Sequence, residues 1–365
     1  MDQVLLMCES YKEKITQTTD LVQLRRIRES FHLVLTTEFH HDDLPVIHAL
    51  NEVFDAMIRQ VVFFTEQRIS CEPGGSQPPV AYAYMLFGSG GRSEQMMGSD
   101  QDNGLIYEAV EDPAKSLEVD AYFERFAGYL TEHLVQLGFA ECSGRVICTE
   151  ERWRKNEKQW YSQMLSWMQD PTWEYVRYLL VLADGRCVYG APSLYNRLRQ
   201  KYNQYVRENP DILLAMLRNT LHRKVLIGLF GNVIKEPFGE AQGGIDVKYG
   251  AYVPFVNAIR LLAIRYQIVG ASTLERIQKL YEAGWIDAER CQTWHEAFSV
   301  IICLRAATYM NNEEKLFVSD GKLKADQLSS DKIKRLKSSM KVAKHLQNYT
   351  RKLVARDSGG TTTWI

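Results

Sequence analysis

The chain has 365 residues, 45% hydrophobic and 24% charged, with a formal net charge of −1. These values fit a globular protein with room for two or three domains, and the near-neutral balance gives no argument for a nucleic-acid partner. No apolar run approaches the roughly 18 residues of a membrane span, and the opening MDQVLLMCESYKEKITQ lacks the basic start of a signal peptide.

Residues 1 to about 70 read as helices. Val4, Leu5, Tyr11, Ile15, Leu21, Leu24 and Ile27 recur at helical intervals, and Leu44 to Phe64 gives a longer periodic segment with Pro45 suited to its first turn. The intervening Glu38-Phe39-His40-His41-Asp42-Asp43 offers metal-binding residue types. Adjacent helix residues do not face one site, however, and acidic residues before a helix are ordinary caps. Cys71 to Pro79 is a linker of Gly, Pro and Ser. The seven cysteines lack C-x-x-C spacing and are expected to be reduced thiols of a cytoplasmic protein.

Tyr82 to Phe87 has the length and aromatic content of a buried strand, and Leu105 to Tyr107 begins a second. Asp120 to Leu137 returns to helical spacing with Gly138 as its stop, Arg145 to Thr149 reads as a third strand, and Trp153–Trp167 and Glu174–Leu182 read as helices. Beyond Leu194 strand signals are sparse. Helices are expected at Ser193–Glu208, Ile212–Phe230, Tyr252–Ile268, Ser272–Ala283, Asp287–Tyr309 and Lys332–Ala355. The last has an apolar stripe from Ile333 to Leu353 and a Lys/Arg-rich opposite face, read as the solvated side of a bundle helix. The tail, DSGGTTTWI, reads as disordered.

Between the first two strands lie Gly88-Ser89-Gly90-Gly91, the polar segment Arg92 to Met97, and Ser99-Asp100-Gln101-Asp102-Asn103. Glycines after a strand let backbone N–H groups approach a phosphate. Aspartates at i and i+2 on an extended segment share a face and supply hard oxygen ligands. The pairing suggests phosphoryl or nucleotidyl transfer with Mg²⁺. A dinucleotide fingerprint fails, because Ser93 stands at the third glycine position and Arg92 to Gly98 is too short for a crossover helix. A calcium loop fails as well, because Leu105 falls where its glycine belongs. A plain Gly-rich turn before an Asp-capped strand explains either half, but not their closeness.

The stretch resembles the G-S-x-x-R-x-E…S-D-x-D pattern of the DNA polymerase β-like nucleotidyltransferase superfamily. More narrowly, GSGGRSEQ…SDQDNGLIY is similar to nucleotidyltransferases related to the N-terminal region of protein-PII uridylyltransferase. CSGRVICTEERW, LADGRCVYG and IDVKYGAYVPFVNAIRLLAI resemble further segments of that family in the same order. Departures are Glu150-Glu151-Arg152, where the family has Asn-Pro before its Trp, and Gly104, where it has Ala. The chain shows none of the CBS, cyclic-nucleotide-binding, HD or ACT modules of relatives, so a bifunctional PII enzyme is not expected.

The resemblance implies a predominantly helical α+β protein: an N-terminal helical segment (1–72), a small mixed-sheet catalytic domain (73–192), a C-terminal helical substrate-binding bundle (193–356) and a tail (357–365). It implies that Gly88, Ser89 and Gly90 hold the triphosphate of an NTP, and that Asp100 and Asp102 bind Mg²⁺ or Mn²⁺. Asp184 would be the third carboxylate, with Glu150 as the alternative. Arg92 would pair with Glu94 to fix the loop or would touch phosphate, and Lys248 would reach the triphosphate. The expected activity is transfer of NMP to an acceptor, by analogy a protein hydroxyl, in a regulatory role. A non-catalytic nucleotide-binding regulator is the alternative. Neither a membrane nor a nucleic acid is expected as a partner.

Overall fold

The computed structural model describes residues 2–37, 43–221, 224–228, 232–238, 242–311 and 317–357. Helices dominate, and one four-stranded mixed sheet sits among them, in the α+β architecture expected. The chain divides into two compact units. The first is built from Met1–Ser166 and Asp184–Lys201, the second from Trp167–Ala183, Tyr202–Asn312 and Phe317–Ile365. The N-terminal helices therefore share a unit with the sheet, and residues 167–183 leave the expected catalytic domain for the second unit.

In the first unit, α1 (Asp2–Thr16), α2 (Leu21–Thr37) and α3 (Leu44–Ser70) precede the sheet. Asp43 takes the N-cap position of α3 and Pro45 its first turn. Glu38 to Asp42 lie outside the described residues. Val53, Phe54, Met57, Val61 and Val62 of α3 are completely buried, and their helical spacing lets α3 pack against α1 on one side and later elements of the unit on the other. This packing is why the N-terminal helices do not stand as a separate segment.

The sheet consists of β1 (Tyr82–Leu86), β2 (Asn103–Tyr107), β3 (Arg154–Asn156) and β4 (Arg186–Gly190), in the order β3-β2-β1-β4. Between β1 and β2 lies a single helical turn, α4 (Gly88–Gly91). β1 pairs antiparallel with β2, from Tyr82 opposite Tyr107 to Leu86 opposite Asn103, and antiparallel with β4. β2 and β3 are parallel. Every residue of β1 and β2 is buried. α5 (Pro113–Leu137) covers one side, with Phe123 stacked on Tyr107 at 4.3 Å. It starts earlier than expected because Asp112 caps it through the Ala114 N–H with Pro113 in its first turn, and Gly138 ends it at φ 101°.

Arg145 to Thr149 is not a strand. Arg145 adopts φ 53° and its N–H closes a turn on the Cys142 carbonyl, which breaks the extended conformation. The third strand is the polar triplet Arg154–Asn156 instead. Trp153 belongs to a 3₁₀ turn before it, so α6 (Glu157–Gln169) begins later than the tryptophan pattern suggests.

The second unit contains α7 (Trp173–Ala183), the last two turns of α8 (Pro192–Glu208) from Tyr202 onward, α9 (Ile212–Leu221), α10 (Val253–Arg265), α11 (Thr273–Glu282), α12 (Ala288–Ala306) and α13 (Ser330–Asp357). Phe255, Ile259 and Leu262 of α10 are completely buried at its centre. Ser272 and Asp287 cap α11 and α12 through the N–H groups of Glu275 and Arg290. The helix expected to reach Phe230 ends at Leu221, and α10 opens through a π-helical turn, Lys248–Tyr252. Two ribbons were not expected: β5 (Ile245–Asp246) with β8 (Lys322–Leu323), and β6 (Tyr309–Asn311) with β7 (Phe317–Ser319). Strands of two or three residues carry no readable period. Among the described residues no helix is long and apolar enough to cross a membrane. Residues 358–365 of the tail lie outside the described residues.

Candidate active site

β1 delivers the chain to Phe87, still extended, and the glycines then reverse it. Gly88 has φ 52°, and a Cβ built on it would lie 2.1 Å from Asp102 Oδ2. Glycine is therefore required twice, for the left-handed backbone and for the approach of a carboxylate. A Cβ on Gly91 would lie 2.1 Å from the Asp184 carbonyl oxygen. The N–H groups of Gly91, Arg92, Ser93 and Glu94 are spent inside the turn, on the carbonyls of Phe87, Gly88, Gly90 and Ser89. Those of Gly88, Ser89 and Gly90 lead the turn and find no acceptor among the described residues. Leading N–H groups of this kind are the ones that can meet an anionic oxygen.

The next segment alternates. Asp100 and Asp102 are half-buried, whereas Gln101 and Asn103 are buried. Gln101 donates its backbone N–H to the Ala140 carbonyl at 2.8 Å and its Nε2 to the Phe139 carbonyl at 2.9 Å. Asn103 donates its N–H to the Val146 carbonyl, accepts the Cys148 N–H on Oδ1, and donates Nδ2 to Gln101 Oε1. The two residues thus anchor to the backbone of residues 139, 140, 146 and 148, and the pleat turns both carboxylates to the opposite face of the run. The Cys142 thiol donates to Asp102, and burial, aided by that carboxylate, pushes it up to about 12.

Behind the turn is a buried ion cluster. Arg92 donates Nε to Glu94 at 2.9 Å and Nη1 to Asp184 at 2.5 Å, with all three side chains at 6% exposure or less. The Arg92–Glu94 pair is the loop-fixing pair expected. Asp184, expected as the third carboxylate, has no exposed side-chain surface and accepts from Arg92. Arg186 adds a second brace, with Nε on the Gly90 carbonyl and a bidentate pair on Asp55 at 2.7 Å. From α3, Asn51 brackets the next residue, accepting the Gln95 N–H and donating to its carbonyl. Ser93 is held at φ 52°, a conformation few non-glycine residues adopt, and these braces hold it there.

Glu150 sits before the 3₁₀ turn with Arg145 as its partner. Lys248 lies in the second unit. Its stem covers Gly321, and its ammonium stands 5.3 Å from the Tyr249 ring. The structure therefore brings together Gly88, Ser89, Gly90 and Asp102, with Asp100 on the same face. It gives Arg92 and Asp184 a supporting place. Gln101, Asn103, Arg186, Asp55, Asn51 and Cys142 were missed as parts of the site. The i, i+2 alternation that grouped the aspartates also turns Gln101 and Asn103 inward, so those two were readable. The α3 residues are distant in sequence and carried no local signal.

The donor set of Asp100 and Asp102 is carboxylate oxygen on one half-exposed face, the chemistry that suits Mg²⁺ or Mn²⁺. The backbone of the Gly88 turn, with no side chain of its own, lies against one of these oxygens. The residues present fit a divalent cation shared with a phosphate.

A family model described as "Putative nucleotidyltransferase DUF294" matches residues 28–174, and one described as "Putative nucleotidyltransferase substrate binding domain" matches residues 210–354. No curated protein gives a significant match. The first match contains the glycine turn and both aspartates, and with the second it spans most of the chain, which belongs to this DUF294 nucleotidyltransferase family.

Proposed function

We propose that the protein transfers a nucleoside monophosphate from an NTP to a hydroxyl of a protein acceptor, releasing pyrophosphate, in the manner of PII uridylylation. The observation that carries this reading is the contact of Gly88 with Asp102, which sets free N–H groups beside a metal-type carboxylate. Gly88, Ser89 and Gly90 bind the phosphate oxygens through backbone N–H groups, and the Ser89 hydroxyl adds a donor. Asp100 and Asp102 hold the cation. Mg²⁺, when bound, neutralises the phosphate charge and aligns the attacking oxygen. Arg92, Glu94, Asp184 and Arg186 keep the turn in the conformation that binds, so no reorganisation is required at the moment of reaction.

The test is incubation with each labelled NTP, Mg²⁺ and host lysate. Label is expected on a protein band with one NTP, and expected to vanish in Asp100→Ala/Asp102→Ala. Transfer that persists undiminished in the double variant overturns the assignment.

A further inference from the structure

α13 carries nine Lys or Arg residues against two Asp, in a chain whose net charge is −1. Leu336, Met340, Ala343, Leu346 and Val354 bury one face of it. On the opposite face Lys334, Lys337, Lys341, Lys344, Lys352 and Arg356 fall within about 60° of a common line, at 100° per residue, over about 33 Å of helix. Five of the six are exposed, Lys337 being half-buried. Among the described residues none of them has an ion-pair partner.

The placement works against the helix. Like charges three and four residues apart repel. Lys332, Lys334, Arg335 and Lys337 crowd the first two turns, where the macrodipole favours carboxylates, and Asp331 alone offsets them. A pattern that conflicts with local preference and returns no packing is the kind that function retains.

Beside this face a cavity of about 340 Å³ opens between α12 and α13, lined by Trp294, Val342, Leu346 and Tyr349 together with Arg290 and His345. That is the size of a small-ligand or side-chain pocket. On its α12 side Glu289 and Thr293 line it and the exposed Glu296 continues the same helical face. A polynucleotide laid along α13 would meet those carboxylates. A protein can carry carboxylates opposite α13, a cation opposite α12 and an apolar side chain between them.

We propose that the α12–α13 face docks an acidic helical segment of a protein partner, with carboxylates spaced along α13 and one apolar side chain in the Trp294–Tyr349 cavity. The inference goes beyond nucleotidyl transfer and does not depend on it, since no nucleotide takes part. The test uses the full chain and a fluorescein-labelled helical peptide with Glu at every third or fourth position and one central Leu. Two comparison probes are the peptide with that Leu replaced by Ser, and an oligouridylate of equal charge. Lys337→Gln/Lys341→Gln/Lys344→Gln is expected to weaken peptide binding at least about tenfold while the Tm stays level or rises. Leu→Ser in the probe is expected to weaken it several-fold. The proposal is overturned by absent peptide binding, by tighter binding of oligouridylate, by unchanged affinity in the triple variant or with the Ser probe, or by a fall in its Tm.

Discussion

Asn103 Oδ1 accepts the Cys148 N–H at 2.9 Å, and the Asn103 N–H reaches the Val146 carbonyl at 2.8 Å. One residue thus fastens the start of β2 at two points, immediately after the carboxylate of Asp102. Asn103→Ala strands the buried Cys148 N–H and is expected to cost about 1–3 kcal/mol in urea unfolding. Because the aspartates hang from the same backbone, Mn²⁺ affinity by electron spin resonance should fall about tenfold as well. Lost stability with unchanged Mn²⁺ affinity would reduce Asn103 to a purely structural tie.

Gly88→Ala places a methyl where Asp102 Oδ2 now lies, on a backbone at φ 52°. The left-handed strain alone costs about 1–2 kcal/mol. Transfer activity should drop by at least about two orders of magnitude, since misplacing a reacting group by an ångström costs that much. Circular dichroism should show a folded protein. An active Gly88→Ala enzyme would exclude the turn from the chemistry.

The Arg92 cluster predicts a graded series. Arg92→Ala leaves Glu94 and Asp184 buried without their cation and should cost about 3–5 kcal/mol. Asp184→Asn keeps the shape and should cost less, with Mn²⁺ affinity preserved at a temperature where the variant is folded. Complete loss of Mn²⁺ binding in folded Asp184→Asn would make Asp184 a metal ligand.

His32 gives a pH dependence. Burial, and secondarily the nearby Arg28 guanidinium, holds its pKa well below the ordinary 6.5. The unfolded chain therefore takes up the proton first. Stability is fully present above about pH 7 and drains as pH falls through 6.5, at up to about 1.4 kcal/mol per pH unit, until the folded-state pKa is passed. His133 is shifted in the same direction by burial and then by Arg68. Denaturant titrations from pH 8 to 5 should show this fall, and His32→Gln should flatten it in part.

The site was legible to the extent that it is local. Gly88 to Asp102 are consecutive enough for turn chemistry and strand alternation to group them, and β1 and β2 appear where the apolar runs place them. Asp184 shows where that reasoning ends. A D-x-R segment marks importance without saying whether the carboxylate faces a metal or an arginine, and Arg92 claims it through a contact 92 residues apart in sequence. The strand expected at Arg145–Thr149 failed for a related reason. Its apolar residues are buried, but Asn103 uses a side chain to bind the segment, and a side-chain anchor leaves no periodic trace.

The interleaving of Asp100, Gln101, Asp102 and Asn103 has a consequence for tolerated change. Anchors and carboxylates occupy opposite sides of a single run, so inserting or deleting one residue before Asp100 would exchange them. The carboxylates would be driven into the interior and the amides turned outward. Length variation is affordable elsewhere, in the linker before β1 or the loop after β2. Between Gly98 and Gly104 even a one-codon gain or loss should abolish function, although every original side chain is still encoded.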